Sequence, residues 1–91
     1  RVITPRATKL FVNTSDERID DKDLIYFWAK KEAAFKATSP LNPEVNLLKD
    51  IWIRHDQFGK VGFETPIGEV GFTLQQGQVI ATAYLFKTAH P

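Results

Sequence analysis

The chain predicts an α+β fold, one long helix packed on an antiparallel β-meander, and three observations carry that expectation. The run from Leu24 to Ala37 is rich in alanine, lysine, leucine and glutamate, strong helix formers, and Thr38, Ser39 and Pro40 close it. Beyond the loop SPLNP the chemistry changes to short alternating runs such as KDIWIRH, EVGFTL and VIATAYLFK, broken by glycine and proline. Strands following one another in this way form an antiparallel sheet against which a single helix can bury its apolar side.

Taken in order, residues 1–8, RVITPRAT, mix β-branched side chains with Pro5 and have no clean period, which predicts an irregular or extended entry. In KLFVNTSDERI, Thr14 and Glu17 match the T-x-x-E capping box and predict a short helical turn. Asp20 or Asp21 is placed to cap the main helix. After it, KDIWIRH reads as a strand, DQFGK as a turn, VGFET and EVGFTL as short strands around Pro66 and Gly68, and QQGQ as the lead into the last strand. That strand sets Val79, Ala81, Ala83 and Leu85 on one face and Ile80, Thr82, Tyr84 and Phe86 on the other, so both faces are expected to be at least partly buried. One helix cannot cover two faces. A missing half of the protein or an oligomer partner is the expected second cover.

Composition bounds the rest. The 91 residues, 43% hydrophobic and 25% charged, show no internal repeat or linker and fit one domain spanning 1–91. A formal charge of +1 with dispersed basic residues offers no footprint for nucleic acid or an anionic membrane. The absence of cysteine excludes disulfides and thiolate metal sites, and no run approaches the roughly 18 apolar residues of a membrane span. No signal peptide is visible, so the expected setting is cytoplasmic. The chain opens on Arg1 and contains no methionine, which reads as part of a longer protein.

The stretch FWAKKEAAFK, residues 27–36, poses the functional question. At roughly 100° per residue, Phe27, Trp28 and Phe35 form an apolar arc around Leu24 with Lys31 inside it. Glu32 lies on the flank, Lys36 one turn further on the same side, and Lys30 points away. Glu32 and Lys36 could be an ordinary surface pair, with Lys31 laying its methylenes along the aromatics and reaching water. Alternatively the helix lines a cleft, Glu32 binding a hard cation such as Mg²⁺ while the lysines hold phosphate oxygens.

Trp28, Lys31, Glu32, Ala33 and Lys36 fit W-x-x-K-E-A-x-x-K, which resembles the signature helix of the 4′-phosphopantetheinyl transferase superfamily, holo-acyl-carrier-protein synthases included. KLFVNTSDE resembles the short helix ahead of that motif, and LLKDIWIRHDQFGK the strand and turn after it. The resemblance implies an enzyme that moves the phosphopantetheine arm of coenzyme A onto a serine of an acyl, peptidyl or aryl carrier protein. Glu32 would be the Mg²⁺ ligand and help deprotonate the serine, Lys36 would share the catalytic role, and Lys31 and Lys36 would contact the phosphates of coenzyme A. Such a transfer relies on positioning and neutralised charge. The family also carries a G-[IV]-D-x-E-like segment that completes the metal site, and this chain has none. Asp16, Asp20, Asp21 and Asp23 read as capping and helix-dipole residues. The chain is therefore expected to be the C-terminal half of a transferase. The competing reading is a noncatalytic interaction domain that keeps the helix and lacks a complete metal site. A nucleic-acid-binding helix ranks last, since Lys30, Lys31 and Lys36 make too small a positive face.

Other residues receive structural readings. His55 and Asp56 belong to turn chemistry, and His90 lies near the chain end. Gly68 and Gly71 mark close packing or a bulge, and Trp52 with Arg54 forms a core or interface pair on one strand face.

Overall fold

Pro5 presets the backbone for a first helical turn, and Thr4 accepts a hydrogen bond from the Ala7 amide at 3.1 Å. The computed structural model, which describes residues 3–87, accordingly opens on a short helix, α1 (Pro5–Thr8), where an irregular entry was expected. The predicted capping box does not form. Asn13 Oδ1 instead accepts from the Ser15 amide and Asp16 Oδ2 from the Asn13 amide, both at 2.7 Å, giving a side-chain-closed turn with no helix behind it. Glu17 is drawn away to the backbone of His55.

The main helix, α2 (Leu24–Thr38), follows a single 3₁₀ turn at Asp21–Asp23 and ends in another at Ser39–Leu41, where Pro40 cannot continue it. Asp20 stands at the start of this segment without a side-chain capping bond, so the acidic first turn acts through its charge alone. No described helix is long and apolar enough to cross a membrane.

Four antiparallel strands form one open sheet in the order β1 (Ile51–Arg54), β2 (Gln57–Lys60), β3 (Gly68–Gln75) and β4 (Gln78–Leu85). The meander is as expected, but its second member is not. The reversal after β1 uses only His55 and Asp56, both at positive φ (52° and 61°), so QFGK becomes a strand. VGFET is a turn, with Gly62 at φ 87° and the Phe63 amide bonded to the Lys60 carbonyl. A two-residue hairpin with both central residues left-handed normally announces itself as Asn-Gly or Asp-Gly, and His55-Asp56 conceals it.

β2 pairs with β3 only at Gln57–Glu69 and Phe58–Gly68, whereas β3 and β4 stay in register from Gly68–Leu85 to Gln75–Gln78. The β3–β4 hairpin thus runs well past its neighbours. The core is Phe11, Phe27, Ala34, Val45, Ile51, Ile53, Phe58 and Val70, with Ala83 and Leu85 of β4 packed against it. Gly68 is needed there because a Cβ would lie 2.5 Å from the Phe58 ring and from the Tyr84 carbonyl. Gly71, by contrast, faces open space. Trp52 covers Gly59, donates from Nε1 to the Phe63 carbonyl at 2.6 Å, and carries the Arg54 guanidinium 4.0 Å above its ring, which makes it the packed pair expected.

Candidate functional site

The buried side of α2 consists of Phe27, Lys30, Lys31, Ala34 and Thr38, which is rotated from the expected aromatic arc toward the lysines. Trp28 and Phe35 end half-buried on its flank. Lys31 is fully buried, and its ammonium meets the equally buried carboxylate of Asp16 at 2.9 Å while donating to the Ile51 carbonyl. Asp16 also accepts from the amides of Asn13 and Ile53, each at 2.7 Å. Burial, acting against the attraction between the partners, pushes the Asp16 carboxyl above its ordinary range and the Lys31 ammonium below its own. Lys30, which was expected to face away, pairs with Asp56 at 2.5 Å and lies 4.4 Å over the ring of Phe72.

These contacts explain the lysine inside the apolar arc. β1 is a sheet edge, and its outward backbone groups are Ile51 O, Ile53 N, Ile53 O and His55 N. Lys31, Asp16, the Glu17 amide and the Glu17 carboxylate satisfy them in turn. The buried ion pair is a seal on the edge of the sheet. Asp16, assigned from sequence to the helix start, is its anionic half; a lysine on a buried face requires a counter-charge, and that requirement was the available signal.

Glu32 is half-buried and Lys36 exposed, and the two form neither an ion pair nor a hydrogen bond with each other among the described residues. Three hollows of about 330, 810 and 280 Å³ are lined without Lys31, Glu32 or Lys36. Among the described residues no group of three or more His, Asp or Glu side chains comes together to hold a metal ion. The expectation of a Mg²⁺ site at Glu32 is corrected by that arrangement: one carboxylate leaves nearly all of the coordination unfilled. Mg²⁺-dependent phosphopantetheine transfer from coenzyme A, the transferase activity expected from the helix motif, falls with it. Comparison with known protein families, with curated proteins and with solved structures finds no match.

The molecule's other distinctive surface is β4. Its helix-side residues Val79, Ala81, Ala83 and Leu85 are half-buried, but on the opposite face Ile80 is 42% and Tyr84 55% exposed, and Phe86 just beyond is 38% exposed. The second face, expected to be partly buried, is open. Tyr84 donates its hydroxyl to Glu69, which holds the phenol's pKa above its usual value and leaves the ring outward. From Gln78 to Phe86 the strand has no charge, proline or glycine.

Proposed function

We propose that this chain is a noncatalytic interaction domain, a phosphopantetheinyl transferase-like half that keeps the signature helix and the meander without a complete metal site. One observation carries the reading. Among the described residues, the fold seals the β1 edge with an ion pair, two amide contacts to carboxylates and a backbone bond, while nothing pairs with the neutral eight-residue β4 edge and its apolar outer face stays exposed. Free-standing edges are ordinarily blunted by lysine, proline, bulges or brevity, and β4 has none of these. Its partner is protein, of the kind the helix motif suggests: a carrier protein, a companion half, or another protomer.

A photoreactive benzoylphenylalanine placed at Thr82, in the chain expressed in its own cells, should give discrete protein adducts that the same group at exposed Lys22 does not. Equal labelling at the two positions would remove the interaction reading. Incubated with coenzyme A, Mg²⁺ and an acyl carrier protein, the chain should leave the carrier's mass unchanged. A gain of one phosphopantetheine arm would overturn the noncatalytic part.

A further inference from the structure

We infer that the occupant of the β4 edge is the β4 strand of a second copy, joined antiparallel about a two-fold axis at Thr82, so that two four-stranded sheets become one of eight strands. The inference rests on the interaction reading and names its partner.

Backbone parity sets which groups are available. Gln76 and Gly77, both at positive φ, make a two-residue turn closed by the Gln75–Gln78 pair, and such a closing pair exchanges hydrogen bonds. Even-numbered residues of β4 therefore bond toward β3, and the Phe86 amide continues the series by donating to the Ile67 carbonyl at 2.8 Å. The amides and carbonyls of Val79, Ala81, Ala83 and Leu85 point to the open side.

An antiparallel partner must match odd residues to odd residues. The register that uses all four sets Val79 opposite Leu85 and Ala81 opposite Ala83 in both directions, with Thr82 facing Thr82. The exposed face then pairs Ile80 with Tyr84 twice, flanking the central threonines. Aromatic with β-branched and threonine with threonine are favourable cross-strand pairs. The same register places Lys87 across from Gly77, so no like charges meet anywhere along the seam. A strand whose symmetric register uses all four outward residues, pairs Ile80 with Tyr84, and brings no like charges together is self-complementary in the sense a two-fold interface demands.

Sedimentation of the parent chain should show mass rising with concentration toward twice the 10.4 kDa of one copy. Thr82→Lys sets two ammonium groups face to face at the axis and should weaken dimerisation roughly tenfold or more, and Thr82→Glu should do the same. Mixing the two variants should restore the dimer, a rescue that misfolding cannot mimic. Ala83→Pro, which deletes one outward amide without touching the bonds to β3, should also yield monomer with an unchanged circular dichroism spectrum. A chain that stays monomeric at every concentration overturns the inference, as does a dimer indifferent to Thr82→Lys or a charge-swapped mixture that stays apart. Adducts at Thr82 to a different protein, with no self-adduct, would sink the second copy while leaving the interaction reading standing.

Discussion

Replacing Lys31 by methionine removes the cation from the sealed edge and keeps the side chain's length and apolar stem. Asp16 is then a buried carboxylate held by two amides alone, and the Ile51 carbonyl loses its donor. Breaking one side of a buried pair costs about 3–5 kcal/mol, against a total stability of about 5–15 kcal/mol for a domain of ordinary size. With a loss of about 4 kcal/mol and a urea slope of about 2 kcal/mol/M, the unfolding midpoint falls by roughly 2 M. Urea titration followed by tryptophan fluorescence reads this directly, since Trp28 and Trp52 bracket the helix and the sheet. Lys36→Met, at an exposed position, should change stability by no more than about 0.5 kcal/mol. Adding Asp16→Asn to Lys31→Met should recover part of the loss, because no charge is stranded and the amide oxygen still accepts from one of the two backbone N–H groups, while the other loses its acceptor. A Lys31→Met chain within about 1 kcal/mol of its parent, or a double variant no better than the single, would refute the edge-seal account.

Asp16 also predicts a pH effect. Its folded pKa lies above its ordinary 3.8, so between the two values the folded chain holds a proton that the unfolded chain has lost, and this residue's contribution grows as pH falls through the folded value. The stability difference between the parent and Asp16→Asn should therefore shift in the parent's favour on acidification, as measured by urea titration at a series of pH values. Gly68→Ala drives a methyl into Phe58 and the Tyr84 carbonyl and should cost about 1–3 kcal/mol, whereas Gly71→Ala meets nothing and should not incur that packing loss; thermal melts compare them. Thr38 Oγ1 is buried without a hydrogen-bond partner among the described residues, so Thr38→Val should be neutral or raise stability by up to about 1 kcal/mol in the same melts.

How much of this was legible in the sequence depended on whether a signal was local. Helix-forming composition and the Ser39-Pro40 stop located α2 to within one residue, because propensity and proline act on the chain where they stand. The two-faced pattern of β4 was equally plain. The hairpin at His55-Asp56 was hidden because its left-handed pair lacks glycine, and the mistake propagated into taking QFGK for a turn and VGFET for a strand. The helix face was misjudged for a different reason. The wheel placed Lys31 inside the apolar arc, where it is buried, but it ranks residues by hydrophobicity and cannot register that distant carboxylates, Asp16 for Lys31 and Asp56 for Lys30, turn the buried face toward Lys30, which was read as pointing away. Asp16, Lys31 and Ile51 come from three segments, and no local pattern joins them.

The same comparison separates what the helix motif retains from what it lacks. In W-x-x-K-E-A-x-x-K, Lys31 bears on folding, because its ammonium completes the hydrogen bonding of a sheet edge that would otherwise be open. Glu32 is half-buried and Lys36 exposed, and neither belongs to a group that could assemble a metal site among the described residues. In this chain the lysine of the pattern has an architectural role, while the chemistry suggested by the glutamate has no support. The asymmetry between the two edges follows from this. Sealing β1 sets the buried Asp16–Lys31 pair at one edge of the sheet, and the strand at the other edge carries no charge from Gln78 to Phe86.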